Sequence, residues 1–462
     1  MSREESHAIV LGASMGGLLA ARVLSDHFDR VTIVERDALP LDASPTDAVH
    51  RKGVPQGRHA HGILASGRLT LEEMFPGLSA TLRAAGAQEA DLTGTRWILG
   101  GHRQRLDDLG FPGLCCTRPT LEAAVRARVL ALPGVSARTE HDVLGLVHRR
   151  GRVEGVRVLG RRDGSAEETL AGDLVVDATG RGSKLPQWLE AMGYSPPAEE
   201  RVRVKISYTT ALFRRERRHV DGGIVLVVGA APPNPRAGVA LAVGPDTWIV
   251  TLIGYLGDRA EPSHEGCLAF SRTLPAPDLH ELLADSEPVS EFSTSTFSHS
   301  QRRRYDALDE HPEGLIAFGD AMCSFNPIFG QGMTVAAHEA RALGACLAGG
   351  ETAGLWRRFY KSSRAIIDIP WSIAVGNDLR YPDVEGARPA LGGLLDRYLD
   401  RVLAVGASDA RVGTAFLRVT NLLDPPQALM RPTTLARVLL GTPARSTLAS
   451  PAEGDAALAT RG

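Results

Sequence analysis

Residues 314–338 read GLIAFGDAMCSFNPIFGQGMTVAAH, and this stretch decides the fold that the sequence predicts. Residues 315–318 are apolar and predict a buried strand, which ends at Gly319 and Asp320. A carboxylate at the end of a strand can accept hydrogen bonds from the hydroxyl groups of a polyol. The first half of the stretch therefore predicts a binding position at the edge of a sheet.

The second half of the stretch predicts a helix with an open N-terminus. A loop closed by Pro327 leads to Gly330 and Gly332, and apolar residues then recur at helical spacing, at Met333, Ala336, Ala337 and Ala340. Glycines at a helix start let backbone N–H groups approach an anion, and the helix dipole favours negative charge there. A reduced flavin is such an anion. The plainer interpretation is a strand–loop–helix corner of any α/β protein.

These residues closely resemble the second FAD-binding motif of the para-hydroxybenzoate-hydroxylase family of flavoproteins. In that family the Gly-Asp pair, here Gly319 and Asp320, holds the ribityl chain. The glycines after the proline, here Gly330 and Gly332, face the flavin ring, and their amides would stabilise its anionic form. The resemblance also places Pro327 and Met333 among the candidate cofactor contacts.

The N-terminal segment carries a second nucleotide-binding pattern. Residues 7–11 predict a strand, a glycine turn and a helix follow, and the next strand ends at Glu35. This order is the βαβ dinucleotide fingerprint, with Gly12 and Gly17 in place and Ser14 at the middle glycine. An acid at this position can hold a ribose 2′-hydroxyl and disfavours a 2′-phosphate, so NADP is not expected here. Arg36 follows directly and joins the candidate contacts.

Cationic residues at two further places match family contacts to the FAD pyrophosphate. Residues 51–61, RKGVPQGRHAH, are rich in Gly, Pro and cations and predict a loop. By position in the family, Arg51 would touch the pyrophosphate, with Lys52 beside it. Arg118, at the start of a predicted helix, matches a second family arginine.

The string of residues 51–61 is similar to that of the flavin epoxidases of polyether-antibiotic pathways, the lasalocid-type epoxidases. His59 and His61 in this string are open to two interpretations. They are either acid–base groups or, as is commoner for histidines in a polar loop, hydrogen-bonded spacers.

A third segment, residues 173–183, reads DLVVDATGRGS and predicts a buried strand running into a glycine turn. The family usually has an Asp-Gly motif here, linked to FAD and NAD(P)H handling, so Asp177 and Gly180 are candidate contacts. The Ala-Thr-Gly-Arg-Gly-Ser form is instead similar to the antibiotic-pathway epoxidases and to geranylgeranyl-reductase-like flavoproteins. The chain has no second complete βαβ fingerprint that would hold NADPH separately.

The resemblance implies an α/β fold of the para-hydroxybenzoate-hydroxylase type. A Rossmann-like FAD-binding domain is interleaved with an antiparallel-sheet substrate domain, and helices follow at the C-terminus. The expected ranges are 1–85, 114–195 and 299–360 for the FAD-binding domain, 86–113 and 196–298 for the substrate domain, 361–446 for the C-terminal helical region and 447–462 for a flexible tail. Within the C-terminal region, residues 364–375 and 391–405 predict helices.

Alternating residues predict the strands of the substrate domain, at 202–210, 223–228, 239–243 and 248–253, joined by 88–106. Residues 143–147 and 153–158 predict a hairpin around Gly151. Aromatic residues make up only 5% of the chain, so the expected pocket lining is Val, Leu, Ile and Phe. Such a lining suits a large, weakly polar substrate better than a small charged acid.

Composition excludes several other classes. The chain has 462 residues, 43% of them hydrophobic, and a formal net charge of −2, so no electrostatic attraction to nucleic acid is expected.

Its five cysteines form no metal-ligand pattern: Cys115, Cys116, Cys267, Cys323 and Cys346. A reducing cytoplasm is the expected location. Without a signal-peptide core or a run of 18 apolar residues, no leader and no membrane span are expected.

The resemblance implies an FAD-dependent monooxygenase, in which reduced flavin reacts with O2 to form a C4a-hydroperoxide that transfers one oxygen atom. Epoxidation of a polyene or terpenoid alkene in secondary metabolism is favoured. Phenol hydroxylation usually needs a base, and no constellation of Tyr, His or Asp residues in the sequence indicates one. NAD(P)H is the expected reductant, directly or through a partner flavin reductase, and a carrier protein is a further candidate partner.

Other functions remain open on this sequence. They are a flavin-dependent reductase of isoprenoid double bonds, an aromatic hydroxylase, and a non-catalytic binding protein on the same fold. A flavin halogenase is less favoured because the WxWxIP motif of that family is missing, and Trp356 and Trp371 stand alone.

Overall fold

The computed structural model of the protein describes residues 5–41, 44–162, 165–388 and 392–446. The predicted tail, residues 447–462, lies outside the described residues. The strands are β1 His7–Leu11, β2 Arg30–Val34, β3 Gln88–Ala90, β4 Arg96–Leu99, β5 His102–Arg103, β6 Gly113–Cys115, β7 Val135–Arg138, β8 His141–Arg149, β9 Arg152–Gly160, β10 Glu167–Ala171, β11 Leu174–Asp177, β12 Glu199–Arg214, β13 Val225–Val228, β14 Arg236–Gly244, β15 Thr247–Gly254, β16 Ser293–Arg303, β17 Leu315–Ala317 and β18 Cys323–Ser324. The helices are α1 Met15–Leu24, α2 Ala65–Met74, α3 Leu78–Ala84, α4 Arg118–Leu130, α5 Leu185–Ala191, α6 His264–Ser271, α7 Asp278–Ala284, α8 Gly332–Leu347, α9 Leu355–Asp378, α10 Gly392–Gly406, α11 Ala410–Thr420 and α12 Pro432–Leu440.

A five-stranded parallel sheet, in the order β17-β11-β1-β2-β7, forms the Rossmann-like part of the molecule. All five residues of β1 are buried, which explains the continuous apolar run of the four that follow His7. Helices α1 and α4 pack against this sheet, and α8 packs on α1. Because α1 is covered by both the sheet and α8, eight of its ten residues are buried. The predicted α/β class and Rossmann-like arrangement are confirmed.

A second sheet of eight strands has the order β18-β16-β12-β15-β14-β13-β4-β5. The four strands predicted between residues 202 and 253 all belong to it, and their neighbouring pairs are antiparallel. The predicted antiparallel sheet is confirmed, with one parallel pair in it, β13 and β4. The chain reaches β4 from a separate excursion between α3 and α4, so no hairpin dictates its direction.

The predicted contribution of residues 88–106 to this sheet is only partly correct. Asp91 accepts the N–H of Thr93 and caps a short 3₁₀ turn that interrupts the segment. Strands β4 and β5 follow the turn and join the large sheet, whereas β3 precedes it and pairs with β6 in a separate two-stranded sheet. The predicted hairpin is confirmed as β8 and β9, and β10 adds a third strand.

The stretch of residues 314–338 links the two large sheets. Strand β17 lies at one edge of the parallel sheet, and β18, six residues further on, pairs with β16 at one edge of the eight-stranded sheet. Helix α8 then returns to pack on α1. The segment that predicted a binding corner therefore lies at the junction of the two sheets.

The C-terminal region is helical, as predicted. Helix α9 is longer than the predicted 364–375 and continues through Pro370, because it packs along α8 with one face buried. Helices α10 to α12 share a small apolar core of their own, formed by Val402, Val405, Val412, Val419, Ala428, Leu429 and Val438.

Candidate functional site

Four chain segments meet at the carboxyl edge of the parallel sheet. Since β1, β2, β11 and β17 run in the same direction, their last residues Leu11, Val34, Asp177 and Ala317 lie side by side. The loops that follow these strands bring the predicted residues together, as in nucleotide-binding α/β proteins. They are Gly12, Ser14, Gly17, Glu35, Gly180, Gly319 and Asp320.

The turn after β1 has room for glycine only at two positions. Gly12 has φ +96°, and a Cβ there would lie 2.7 Å from the carbonyl oxygen of Ala178. A Cβ on Gly17 would lie 1.8 Å from the carbonyl oxygen of Gly12. Strand, turn and helix are thus packed at the spacing that the dinucleotide fingerprint requires.

Ser14, the departure from the fingerprint, is tied to the predicted arginine of α4. Its hydroxyl accepts a hydrogen bond from Nη2 of Arg118 at 3.0 Å, and Glu122 Oε2 lies 3.4 Å away. Arg118 also contacts Glu122 at 3.2 Å, one helical turn along α4. The serine therefore connects the glycine turn to a charged cluster at the start of α4.

Arg51 is the centre of that buried cluster. Its guanidinium contacts Glu122 at 2.8 Å, Glu35 at 3.2 Å and Asp37 at 3.3 Å. It also donates to the carbonyl oxygen of Ala13 at 3.0 Å, inside the glycine turn. Burial acts to lower the pKa of Arg51, but Glu122 and Glu35 outweigh burial and raise it. The predicted pyrophosphate ligand is thus held against the turn.

Glu35 has a dual role at the end of β2. One carboxylate oxygen accepts the N–H of Ala13 at 2.8 Å, and the other accepts the N–H of Asp37 at 3.0 Å. The neighbouring candidates differ, because Arg36 and Lys52 are exposed at the surface. Within the described residues neither of them forms a hydrogen bond to the glycine turn, so their roles stay predictions.

Asp177 organises the third segment from inside. It is fully buried, its Oδ1 accepts the N–H of Thr179 at 3.0 Å and its hydroxyl at 2.6 Å, and its Oδ2 accepts from Ser183. Burial raises the pKa of Asp177, and the hydrogen bonds from Ser183 and Thr179 oppose the shift. These contacts shape the turn at Gly180, which has φ +80° and faces Asp320.

Asp320 is exceptional in this corner because its side chain is accessible to solvent although the residues around it are buried. Within the described part of the chain, no group donates a hydrogen bond to its carboxylate. The surrounding protein raises the pKa of Asp320, and the charges of Arg118 and Arg181 oppose the shift. We call the space that this carboxylate faces, beside Gly180 and Gly332, the cleft. An accessible, unpartnered carboxylate there is available to a ligand.

Glu339 of α8 fixes the position of the Gly-Asp pair. It is fully buried, and its Oε2 accepts the backbone N–H of Gly319 at 2.9 Å. Burial raises the pKa of Glu339 to about 8; the hydrogen bond from Gly319 opposes this shift and the charge of Asp320 adds to it. A largely neutral carboxyl therefore joins helix and strand without adding a second negative charge beside Asp320.

The loop between β18 and α8 presents the predicted glycines to the same cleft. Pro327 starts a short 3₁₀ turn that ends at Gly330, which has φ +63°. Gly332 is the first residue of α8, whose N-terminus lacks a side-chain cap. A Cβ on Gly332 would lie 3.7 Å from Oδ1 of Asp320. Met333, in contrast, is buried in the core behind the loop.

The segment with the two histidines closes the cleft from the other side. Nδ1 of His59 lies 2.7 Å from the hydroxyl of Thr210, and the N–H of Ala60 donates to Thr251 at 2.9 Å. Burial, followed by nearby cationic side chains, lowers the pKa of both His59 and His61 to about 4. Two uncharged histidines, one of them anchored to the large sheet, agree better with hydrogen-bonded spacers than with an acid–base pair.

A polar cluster that we did not predict lies beside the cleft. Nδ2 of Asn326 donates to Oδ1 of Asp378 at 2.6 Å, and Tyr255 donates to the same oxygen at 3.3 Å. Burial raises the pKa of Asp378 to about 7, and the hydrogen bonds from Asn326 and Tyr255 oppose the shift. This cluster has little signature in the sequence, because its members lie on a loop, a strand end and a distant helix.

Two other members of the site carried a signal that we overlooked. Glu122 follows Arg118 by four residues, and Glu339 lies at helical spacing between the apolar residues Ala336 and Leu343. An acid on a predicted apolar stripe implies a buried partner. Both acids hold residues of the cleft rather than face it.

The described residues show no group of three or more His, Cys, Asp and Glu side chains that could hold a metal ion. None of the helices in these ranges combines the length and the apolar character that a membrane span requires.

The residues present fit FAD. A turn that excludes side chains at Gly12 and Gly17, a free carboxylate at Asp320 and an uncapped helix start at Gly332 follow one another along the cleft. Beside them, the side-chain oxygen of Gln331 is buried without a hydrogen-bond partner among the described residues. The glycine turn matches a pyrophosphate, the carboxylate matches a polyol chain, and the helix start with Gln331 matches a polar ring.

Comparison with solved structures supports the fold. The chain is similar to a flavoprotein/dehydrogenase from Cytophaga hutchinsonii, with a TM-score of 0.66 and 16% identity over 95% of this chain and 99% of the other. It is similar to PqsL of Pseudomonas aeruginosa, a probable FAD-dependent monooxygenase, with a TM-score of 0.59 and 17% identity over 82% and 99%. The myxobacterial chondrochloren halogenase CndH gives a TM-score of 0.59 and 17% identity over 90% and 97%.

Comparison of sequences identifies the family. The chain is 35% identical to Protein Rv3254 of Mycobacterium tuberculosis over 449 residues, which cover 91% of this chain and 90% of that protein. Residues 5–354 match the family described as FAD binding domain. The chain belongs to this FAD binding domain family.

Proposed function

We propose that this chain is an FAD-dependent monooxygenase that transfers one oxygen atom from O2 to a large apolar substrate. The observation that carries the proposal is the free carboxylate of Asp320 beside the open N-terminus of α8, where the parallel sheet meets the eight-stranded sheet. FAD, when bound, supplies the oxygen chemistry. The protein's part is to hold the cofactor, orient the substrate and exclude water.

In this proposal the main predicted contacts bind different parts of the cofactor. Gly12 and Gly17 let the backbone approach the pyrophosphate, and Arg51 and Arg118 balance its charge. Glu35 accepts from a ribose hydroxyl and Asp320 from the ribityl chain. The remaining candidates would complete the cofactor site: Ser14, Arg36, Lys52, Asp177, Gly180, Gly319, Pro327, Gly330 and Gly332. Met333 would support the site from the core behind the loop. The division into FAD-binding, substrate and C-terminal segments is part of the same proposal.

For the reaction itself we propose epoxidation of a polyene or terpenoid alkene, in a pathway of secondary metabolism. Support comes from the apolar residues between the large sheet and the loop of Pro327, which include Ile206, Phe297 and Ile328. A large, weakly polar molecule suits such surroundings. Two solved structures similar in fold are described as a probable monooxygenase and a halogenase, so halide dependence belongs in the assay.

Aromatic hydroxylation is the second candidate, and one observation favours it. The preference for epoxidation depended partly on the lack of a visible Tyr, His or Asp constellation. Tyr255, Asn326 and Asp378 form such a constellation beside the cleft. A buried carboxyl with a pKa of about 7 is suited to receive a phenolic proton near neutral pH. Reduction of isoprenoid double bonds stays a third alternative, distinguished by its independence from oxygen.

The reductant in this proposal is NAD(P)H, used directly or through a partner flavin reductase, and a carrier protein could deliver the substrate. All five cysteines are free in the structure, which fits the proposed location in a reducing cytoplasm. These partners are tested by comparing flavin reduction with NADH, with NADPH and with an added flavin reductase.

The experiment that tests the function measures oxygen uptake by the FAD-loaded protein with a panel of alkenes and phenols. Isotopically labelled O2 should add one labelled oxygen atom to the product. Epoxides from alkenes would support the first candidate, and hydroxylated phenols would support the second. Double-bond reduction without oxygen uptake, or a chlorinated or brominated product with added halide, would overturn the proposal.

A further inference from the structure

Three buried polar side chains connect the large sheet, α9 and the loop between β18 and α8, which we call the cleft loop. Asn326 lies directly before Pro327, Tyr255 directly follows β15, and Asp378 is the last residue of α9. Their hydrogen bonds converge on one atom, because Asn326 and Tyr255 both donate to Oδ1 of Asp378. The second carboxylate oxygen of Asp378 takes no part in this network.

Two oxygen atoms at this place are buried and have no partner among the described residues. They are Oδ2 of Asp378 and the hydroxyl of Tyr208. Asp378 is fully buried, and Tyr208 is 8% exposed. Tyr208 lies opposite Ile253 in the pairing of β12 with β15, so it projects from the same face of the sheet as Tyr255, which donates to Asp378. In agreement with this proximity, the charge of Asp378, after burial, helps to raise the pKa of Tyr208. Buried polar atoms of native proteins are almost always satisfied by protein, water or ligand, so both atoms need an explanation.

The surroundings of Tyr208 are largely apolar and reach the cleft; the exception is His59, whose ring centroid lies 5.5 Å from that of Tyr208. Tyr208 belongs to a buried cluster with Ile206 and Phe297, and Ile328 of the cleft loop packs against it. Arg181 of the third segment stacks over Phe297 with its guanidinium carbon 4.7 Å from the ring centroid. The unpartnered oxygens therefore lie in an apolar region between the cofactor cleft and the large sheet.

We propose that Asp378 and Tyr208 together bind one hydroxyl group of an otherwise apolar substrate. The proposal rests on the proposed monooxygenase function and names the substrate class of the same site. A hydroxyl group satisfies both partners, because it donates to the Asp378 carboxylate and accepts from the Tyr208 phenol. A carbonyl or an ether could accept from Tyr208 but would leave the carboxylate oxygen without a donor. A pure hydrocarbon would leave both atoms unsatisfied.

The rest of the network holds this pair in place. Oδ1 of Asp378 is fixed by Asn326, and Oδ1 of Asn326 in turn accepts the N–H of Ile328 at 3.1 Å. The carboxylate is thus attached to the loop that carries Pro327. A bound hydroxyl group would therefore lie at a fixed position relative to the cofactor. Asp378 and Tyr208 would determine specificity, and Asn326 would be a positioning residue.

The test measures binding of matched probes to the FAD-loaded protein by equilibrium dialysis at about pH 8. The probes are naphthol with methoxynaphthalene and farnesol with its methyl ether. Wild type should bind at least one alcohol about tenfold to a hundredfold more tightly than its ether. Asp378→Asn should abolish this preference, because it removes the acceptor that only an alcohol can use. Tyr208→Phe should weaken the binding of alcohol and ether alike by about threefold to tenfold, because both can accept from the Tyr208 phenol.

Tyr381→Phe is the matched control, because the Tyr381 hydroxyl donates to the backbone carbonyl of Asn234 rather than to the network. It should keep the preference for the alcohol. Tyr208→Phe removes a hydroxyl that has no partner among the described residues, so this variant tests the proposal even where Asp378→Asn does not fold. Equal binding of alcohol and ether in wild type, or alcohol binding that Tyr208→Phe leaves unchanged, would overturn the inference and leave a resident water as the occupant.

Failure of the inference and failure of the proposed function are distinguishable. Dialysis requires no turnover, so a protein that prefers alcohols and never consumes oxygen would contradict only the monooxygenase proposal. A protein that oxygenates alkenes with no preference for alcohols in binding would contradict only the hydroxyl site.

Discussion

Glu339 of α8 accepts the backbone N–H of Gly319 at the end of β17, at a distance of 2.9 Å. This buried hydrogen bond joins the two elements that face the cleft, the strand end with Asp320 and the helix that starts at Gly332. The cofactor-binding geometry therefore depends on a residue that is itself fully buried and does not face the cleft.

Glu339 should make the stability of the protein depend on pH. Its pKa is about 8 in the folded state and near 4.5 in the unfolded chain, so the stabilisation it contributes is complete below about pH 4.5 and is lost as pH rises through 8. Relative to Glu339→Gln, wild type should lose up to about 1.4 kcal/mol of unfolding free energy per pH unit in this window. Urea unfolding of both proteins at about pH 5.5 and 8 measures the difference, and parallel pH profiles would contradict the assignment.

Asp320→Ala should weaken FAD binding by about tenfold to a hundredfold, the effect of removing one charge-assisted hydrogen bond. The substitution removes no protein hydrogen bond among the described residues, so stability should change little. Flavin fluorescence titration measures the affinity. Asp306→Ala is a suitable contrast, since Asp306 pairs with Arg304 at 2.9 Å and should affect stability rather than FAD. Unchanged FAD affinity in Asp320→Ala would remove this residue from the site.

Gly332→Val should block the approach of the cofactor to the start of α8. A Cβ at this position makes only an ordinary contact with Asp320, at 3.7 Å, so the protein should still fold. Gly376→Val is the matched control, because Gly376 is also helical and has no neighbour within 4 Å of an added Cβ. We expect loss of flavin absorbance in the first variant only. A normal flavin spectrum and normal turnover in Gly332→Val would count against the placement.

Glu122→Gln should destabilise the protein by about 3–5 kcal/mol, because it leaves the buried guanidinium groups of Arg51 and Arg118 with less compensating charge. The exposed pair of Asp142 and Arg161, 3.1 Å apart, provides the contrast. Asp142→Asn should cost at most about 1 kcal/mol. Chemical denaturation in the presence and absence of FAD separates stability from cofactor binding, and equal effects of the two substitutions would argue against the buried cluster.

Much of the cofactor cleft could be predicted from sequence because its signals are local. The glycine turn after β1 and the strand–loop–helix corner of residues 314–338 each combine apolar periodicity with glycines that the backbone requires. The fold places these segments together because parallel strands end at one edge of the sheet. The contacts of individual candidates with FAD stay predictions.

The polar residues behind the cleft could not be predicted in this way. Tyr255 and Asp378 are 123 residues apart, and neither lies in a recognisable motif. The parallel direction of β4 against β13 was missed for the same reason, since it depends on the tertiary path of the chain and not on the alternation within either strand. Buried acids on apolar stripes, such as Glu339, are the one such feature that sequence reasoning could have used.

The central claim is that separated segments of this chain converge to hold one FAD. Titration of the cofactor-free protein with FAD, followed by flavin absorbance and fluorescence, tests the claim most directly. We predict saturable binding of one FAD per chain, weakened by Asp320→Ala and Gly332→Val and unaffected by Gly376→Val. A wild-type protein that stays colourless and leaves flavin fluorescence unchanged in excess FAD would contradict it.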